Sequence, residues 1–239
     1  MGHRTSVSPR GSAVNPHGVS RRKLLGLITA GSAAAAGLLA VNWQNASGPG
    51  WPGISPVNAG ATPPRRGNKT LVVFYSKTGR NFPDLNLEVG NTAQVAGFIH
   101  DRVGGDRYEV VPAEPYPADY DETDRMAQRE ASERLYRPIK PATPETDQYG
   151  TVFLGFPIWW GEQPMAMQTF MRDHNLNGAR IVPFVTHEGS QFGNSLEFLK
   201  RYYPQADVLD GYARQGQQVY RDPDGTRTQV NSWLEGLGF

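Results

Sequence analysis

From residue 70 to the C-terminus, short apolar runs alternate with longer stretches in which apolar residues recur at helical spacing. The runs at 71–75 and 151–156 are almost continuously apolar, which is typical of strands buried on both faces of a parallel sheet. Three further strands are predicted at 106–111, 180–185 and 206–211. Helices are predicted between and after them, at 91–103, 119–135, 164–174, 195–203 and 226–237. This alternation predicts an α/β domain with a doubly wound five-stranded parallel sheet and helices on both faces.

The loops after the first, third and fourth predicted strands should lie together, because ligands of doubly wound sheets bind outside the carboxyl ends of the strands. The first loop and the helix after it offer hydroxyl, ammonium and amide groups at Ser76, Lys77, Thr78, Gly79, Asn91 and Thr92. Hydroxyls and free amides at a helix N-terminus bind phosphate groups. The structural alternative is a strand–helix turn in which Asn91 or Thr92 merely caps the helix.

The loop after the third strand contains two adjacent tryptophans, in the run Pro157, Ile158, Trp159, Trp160 and Gly161. Neighbouring side chains diverge, so one indole can pack inward while the other covers a binding crevice. An exposed indole is a good stacking surface for a flat aromatic ring. The alternatives are a rim aromatic and a partner-binding patch.

The loop after the fourth strand comprises Thr186, His187, Glu188, Gly189 and Ser190, followed by Gly193. Its small residues allow a ligand to approach the backbone closely, and its amides can hydrogen-bond the polar edge of a ring. His187 and Glu188 lack a further ligand at metal-binding spacing, so no metal site is predicted. Ser190 lacks the GxSxG pattern of a hydrolytic nucleophile, and no catalytic cluster is predicted.

A phosphate site, an aromatic stacking face and an amide-rich edge are what flavin mononucleotide (FMN) requires. In this order the three loops resemble those of the flavodoxin family, and the resemblance extends over residues 69–239, including the segment 112–117. It implies the strand order 2-1-3-4-5 and an FMN site between strands one and three. FMN is therefore the expected cofactor.

By this resemblance, residues 76–79 and 91–92 would surround the FMN phosphate. The sequence departs from the usual family pattern through an insertion at 80–90. The insertion leaves open whether both segments contact the phosphate, and whether it forms a lid bearing Phe82 and Leu85.

The resemblance also implies how the isoalloxazine ring would be held. Trp159 or Trp160 would flank the ring, while Pro157 and Gly161 would shape the loop. The backbone of residues 186–190 would contact the pyrimidine edge of the ring.

Two function classes share this fold and cofactor, so the fold alone does not separate them. The sequence favours an FMN-binding electron carrier, in which no side chain needs to act as an acid or a base. The alternative is an NAD(P)H-dependent FMN oxidoreductase of the quinone reductase type, although no nicotinamide-binding motif is recognisable. A flavin-free interaction module is the third interpretation.

Composition and charge exclude several other classes. The 239-residue chain has no cysteine, which excludes disulfides, thiolate metal sites and cysteine nucleophiles. Residues 62–239 contain 19 of the 24 basic residues and all 23 acidic residues, so this part of the chain is net acidic. A net acidic domain argues against nucleic-acid binding, whose affinity depends on phosphate neutralisation. Little positive charge near a flavin would also lower its reduction potential.

Residues 1–61 contain basic residues and no acidic residue. A pair of arginines at 21–22 directly precedes an apolar run at 24–41, an arrangement that resembles a twin-arginine export signal. Residues 42–66 are rich in Gly, Pro, Ser and Asn and would form a flexible tether or the end of the signal. The alternatives are a basic N-terminus before an ordinary helix, and a permanent membrane anchor.

The predicted organisation is a signal segment at 1–61, a linker at 62–69 and a flavodoxin-like domain at 70–239. Twin-arginine export would place the domain in the periplasm or another extracytoplasmic part of the cell envelope, with no stable membrane span after the signal is removed. The expected partners there are a redox protein or a quinone-like acceptor.

Overall fold

A parallel sheet with five strand positions lies at the centre of the computed structural model, which describes residues 55–57, 60 and 62–239. The hydrogen-bonded order is β4 (Asp106–Glu109), β1 (Lys69–Phe74), β5 (Tyr149–Pro157), β6 (Arg180–His187) and β7 (Asp207–Val208). A separate hairpin consists of β2 (Gly79–Asn81) and β3 (Leu85–Leu87). All pairs within the main sheet are parallel. Counted along the chain within this sheet, the order is 2-1-3-4-5, so the predicted topology is confirmed.

The fifth strand position is divided into two pieces, a feature that the sequence did not predict. After β7, the chain pairs with the same edge of β6 again at β8 (Tyr212–Gln215). Residues 209–211 separate the two pieces and lie opposite Val182 and Pro183, and Pro183 has no N–H to donate to this edge. The strand predicted at 206–211 is therefore wrong in its extent, because pairing is interrupted and resumes only at Tyr212.

Six α-helices connect and follow the strands in the described part of the chain. They are α1 (Asn91–Val103), α2 (Tyr120–Glu133), α3 (Met165–Asp173), α4 (Ser195–Tyr202), α5 (Gly216–Arg221) and α6 (Pro223–Gly236). Five of them match predicted helices, and α5 was missed. Helix α6 begins three residues before the predicted start, because the Asp222 carboxylate accepts a hydrogen bond from Gly225 N–H and Pro223 occupies the first turn.

Helices cover both faces of the sheet, as the predicted layering requires. On one face, α1 and α6 pack over a cluster that includes Val72, Phe74 and Phe153, all buried. Residues in between along the strands, such as Leu71 and Leu154, are also buried and lie on the opposite face by strand alternation. The continuous apolar runs follow from this burial on both sides.

The insertion at 80–90 folds mainly as the antiparallel β2–β3 hairpin. Arg80 pairs in register with Asn86, and the Arg80 guanidinium lies 2.9 Å from the Asp84 carboxylate across the turn. Phe82, near the tip, is 48% exposed. The hairpin is inserted in the chain between the loop that follows β1 and the start of α1.

The segment before β1 is attached to the domain by Arg66, although it has no regular secondary structure. The Arg66 side chain is 4% exposed and lies 2.9 Å from the Asp147 carboxylate. It also donates hydrogen bonds to the backbone carbonyls of Thr146, Asn175 and Asn177. The part of the predicted tether next to β1 is thus fixed to the ends of the sheet where β5 and β6 begin.

No helix in the described part of the chain is both long and apolar enough to cross a bilayer. The predicted signal at 1–61 lies outside the described residues except for 55–57 and 60, and export stays a prediction.

Replacing Arg66 should destabilise the domain, because Arg66→Ala removes an ion pair and leaves several carbonyl groups without their donor. We expect the free energy of unfolding to fall by about 2–4 kcal/mol, measured by urea denaturation. Arg65→Ala is the matched control, since Arg65 is adjacent but exposed, and it should change stability by less than about 0.5 kcal/mol. Equal effects of the two substitutions would contradict the role of Arg66.

Candidate functional site

The three loops singled out in the sequence meet at one edge of the sheet. Register pairs Phe74 at the end of β1 with Gly155 of β5, and Pro157 at the end of β5 with Thr186 of β6. The Ile158 N–H donates a hydrogen bond of 2.8 Å to the Thr186 carbonyl, which continues the contact beyond the strands. The carboxyl ends of three adjacent strands therefore surround a single site.

The loop after β1 (residues 75–79, the β1 loop) contacts the N-terminus of α1 despite the inserted hairpin. The Ser76 hydroxyl accepts a hydrogen bond of 3.1 Å from Ala93 N–H. Gly90 lies so close to this loop that a Cβ atom there would overlap the Ser76 hydroxyl and the Lys77 carbonyl. The structure thus brings together the two segments that the insertion separates in sequence.

Lys77, Thr78 and Gly79 form the base of the hairpin. The Lys77 ammonium donates hydrogen bonds to the carbonyls of Thr78, at 3.2 Å, and Arg80, at 2.8 Å. Burial lowers the pKa of Lys77, and Asp119 acts in the opposite direction. Gly79 starts β2 with a positive φ of 75°. The one ammonium of this loop is therefore held against the backbone of the hairpin.

The first turn of α1 retains hydrogen-bonding capacity that the described residues do not use. Gly90, the residue before the helix, supplies no side-chain cap, and no hydrogen bond of the described residues involves the N–H of Asn91 or Thr92. The Asn91 Oδ1 atom is buried and has no hydrogen-bond partner within the described ranges. The buried Thr92 hydroxyl instead lies 2.7 Å from that of Thr186 and links α1 to the end of β6.

The adjacent tryptophans belong to a tight turn after β5 (residues 159–162, the tryptophan turn). Trp159 and Glu162 exchange backbone hydrogen bonds of 2.9 and 3.1 Å across it. The two central residues, Trp160 and Gly161, have φ values of 50° and 85°. Positive φ at both central positions defines a type I′ turn, in which glycine is favoured and a tryptophan is uncommon.

The two indoles have different surroundings, and both are partly exposed. The Trp159 ring contacts Tyr75 and Tyr116 edge to face, with centroid distances of 5.5 and 5.0 Å. The Trp160 Nε1–H donates a hydrogen bond of 3.2 Å to the Asp124 carbonyl of α2. Two tyrosines and a helix thus hold the turn, and the sequence analysis had assigned none of them to the site.

The loop after β6 (residues 188–194, the β6 loop) is joined directly to the tryptophan turn. Asn194 N–H donates a hydrogen bond of 2.8 Å to the Gly161 carbonyl, and a Cβ atom on Gly193 would overlap that same carbonyl. Ser190 and Gly193 close the loop through a backbone hydrogen bond of 2.9 Å. Glycine at 193 is therefore required by the close approach of two loops.

His187 and Glu188 have structural partners at this edge. The buried His187 Nδ1 accepts a hydrogen bond of 2.9 Å from Gly189 N–H, so the neutral ring carries its proton on Nε2. The Glu188 carboxylate accepts hydrogen bonds from the backbone and side chain of Gln217 and from Gln215. No group of residues in the described ranges has the composition of a metal site.

Phe82 of the hairpin forms a second aromatic pair, with a partner, Tyr120, that the sequence did not indicate. The Phe82 and Tyr120 ring centroids are 6.1 Å apart, joining the hairpin to the start of α2. Burial raises the pKa of Tyr120, and the carboxylates of Asp124, Asp121 and Glu188 add to the effect. These carboxylates make the electrostatic potential around the Tyr120 hydroxyl negative.

Comparison with known proteins agrees with this architecture. The sequence profile of the flavodoxin family matches residues 86–237. No curated protein matches the sequence.

The chain is also similar to several solved structures. A protein from Bacteroides eggerthii assigned as a flavoprotein is 30% identical, with a TM-score of 0.56 over 72% of this chain and 98% of that one. One from Bacteroides uniformis with the same assignment is 28% identical, with a TM-score of 0.57 over 71% and 99% of the two chains. A flavoprotein from Lactobacillus acidophilus, solved in complex with FMN, is 20% identical with a TM-score of 0.50, covering 64% and 97%. This last likeness supports the fold alone.

The His187 bond should make stability depend on pH. Burial lowers the folded-state pKa of His187 below its ordinary value of 6.5, so the stabilisation is complete above about pH 6.5 and is lost as the pH falls through the folded pKa. We expect the free energy of unfolding to decrease between about pH 7.5 and about pH 5.5. His187→Asn, whose amide oxygen can accept from Gly189 N–H without titrating, should reduce this decrease.

Urea denaturation of the wild type and the variant at both pH values checks this prediction. Their difference is the informative quantity, because burial also lowers the pKa of His174 and raises that of Glu162, with opposite effects on stability. An identical pH dependence in the two proteins would contradict the prediction.

Proposed function

Because this chain belongs to the flavodoxin family, we propose that it binds FMN non-covalently at the carboxyl edge of the sheet and acts in electron transfer. The observation that supports the proposal best is the convergence of the β1 loop, the tryptophan turn and the β6 loop on one site. These loops supply the three kinds of contact that FMN needs.

The start of α1 fits the phosphate end of FMN. The N–H groups of Asn91 and Thr92 have no partner among the described residues, and the Ser76 hydroxyl lies directly beside them. A helix N-terminus with unpaired amides favours an anion. Gly90 packs closely on the β1 loop and has no side chain that could obstruct the amides at the start of α1.

The tryptophan turn and the β6 loop fit the ring of the flavin. Two partly exposed indoles provide flat apolar surface, and the backbone of the β6 loop provides polar groups for the edge of a ring. When bound, FMN supplies one- and two-electron redox chemistry, and the protein supplies binding, orientation and electrostatics. The carboxylates around Tyr120 would disfavour added negative charge nearby.

Export and partners complete the proposal. The arginine pair before an apolar run supports transport of the folded, cofactor-loaded protein by the twin-arginine route, to the periplasm or another extracytoplasmic part of the envelope. A redox protein or a quinone-like acceptor is the partner that this location favours. Cell fractionation of the wild type and of a variant with lysines at positions 21 and 22 tests the route, and equal export of both would contradict it.

An absorbance spectrum tests the cofactor. The full chain, mixed with FMN and desalted, should retain absorbance bands at about 370 and 450 nm, as oxidised flavins do. Stable bands after NADPH is added would support a carrier, whereas rapid bleaching would indicate an NAD(P)H oxidoreductase. A colourless protein would contradict FMN binding and leave a flavin-free interaction module.

Two glycine substitutions, one just before α1 and one within it, test the position of the phosphate end of the site. Gly90→Ala should lower FMN affinity by about tenfold or more, because the new methyl group displaces the Ser76 hydroxyl and the Lys77 carbonyl. Gly97→Ala is the control, since a Cβ atom there meets nothing within 4 Å, and it should leave affinity unchanged. Fluorescence titration of FMN measures both, and equal affinities would contradict this placement.

A further inference from the structure

A buried polar cluster lies behind the tryptophan turn, and the proposed function so far gives it no role. It consists of Tyr116 in the connection before α2, Glu130 in the last turns of α2, and Arg137 just beyond that helix. Tyr116 is 9% exposed and Glu130 is 8% exposed. A carboxylate and a guanidinium at such depth require mutual compensation, since burying a charge is costly.

The cluster satisfies this requirement with short, directional contacts. Arg137 lies 2.7 Å from Glu130 Oε1, while the Tyr116 hydroxyl donates a hydrogen bond of 2.6 Å to Glu130 Oε2. The Arg137 guanidinium also covers the Tyr116 ring, 4.0 Å from its centroid. Each oxygen of the carboxylate therefore has a partner, and the tyrosine is held both at its hydroxyl and at its face.

The Tyr116 ring also contacts the tryptophan turn of the candidate site. Tyr116 packs edge to face against Trp159, with 5.0 Å between centroids, and Tyr75 contacts both rings at 6.0 and 5.5 Å. Helix α2, which bears Glu130, also accepts the hydrogen bond from Trp160 through Asp124. One helix thus supports both indoles of the tryptophan turn.

We propose that Tyr116, Glu130 and Arg137 are positioning residues, which orient the Trp159 indole as one wall of the flavin site. This inference rests on the proposed function. A buried ion pair contributes little net stability compared with apolar residues of similar volume. The main effect of the Glu130–Arg137 pair is therefore to fix the orientation of the groups that it contacts. It fixes the Tyr116 hydroxyl, and the fixed ring leaves Trp159 a single orientation in which its edge-to-face contacts are satisfied.

Two substitutions in the full chain test the proposal. Tyr116→Phe removes the hydroxyl but keeps the ring and the ion pair, and Glu130→Gln removes the charge while keeping the shape of the side chain. We expect Tyr116→Phe to lower FMN affinity about tenfold, because an indole that is no longer held in one orientation must be ordered when FMN binds, at a cost that corresponds to roughly this factor. Because its fold is least disturbed, Tyr116→Phe decides the question even where Glu130→Gln does not fold.

The informative readouts are ones that a merely structural role would leave unchanged. At saturating FMN, the visible circular dichroism of the bound flavin should change in both variants. In the FMN-free protein, near-ultraviolet circular dichroism should lose the component that a Trp159→Phe variant also lacks. Glu133→Gln is the matched control: it makes the same change on the same helix, at a side chain that is 50% exposed and forms an ion pair with Arg129. It should leave every readout unchanged.

The proposal would be overturned by a folded Tyr116→Phe protein with wild-type FMN affinity and unchanged spectra, even if its melting temperature fell. Failure of the proposed function is distinguishable, because the wild type itself would then retain no FMN. In that case the near-ultraviolet spectrum of the FMN-free protein still decides whether the cluster orients Trp159.

Discussion

The parallel register of β1, β5 and β6 determines which loops of this protein can act together. Phe74 lies opposite Gly155, and Pro157 lies opposite Thr186, so the chain leaves three adjacent strands at nearly the same level. A shift of one residue in either pairing would turn buried side chains toward the other face of the sheet. The register is therefore held by the apolar cores on both faces, and the site inherits its geometry from them.

Two close approaches of the backbone join neighbouring segments of the site, in addition to the contact between the Tyr75 and Trp159 rings. Gly90 packs on the β1 loop, and Gly193 packs on the Gly161 carbonyl. Hydrogen bonds from Ala93 to Ser76 and from Asn194 to Gly161 reinforce the two contacts. Loops fixed in this way need little ordering when a ligand binds, which reduces the entropic cost of binding.

Local patterns in the sequence predicted most of the fold and the neighbourhood of the site. Apolar runs located the strands, and α1 begins and ends at the predicted residues. The break between β7 and β8 could not be predicted in this way. It depends on which edge of β6 the Pro183 nitrogen faces, and only the strand order shows this. The Tyr116–Glu130–Arg137 cluster was missed for a similar reason. Its members lie on a connection and a charged helix whose packing together is a tertiary event, and Glu130 in isolation resembles any solvated glutamate of an exposed helix.

The two ends of the candidate site differ in how completely their polar groups are satisfied. Around the tryptophan turn, the rings contact tyrosines and each oxygen of Glu130 has a donor, so the aromatic surface is fixed before any ligand arrives. At the start of α1, the amides of Asn91 and Thr92 and the buried Asn91 oxygen have no partner among the described residues. Buried polar groups are normally paired, so this end is the one where a ligand would gain most from hydrogen bonding. A rigid aromatic end and an unsatisfied anion-binding end together favour a ligand that is flat at one end and phosphorylated at the other.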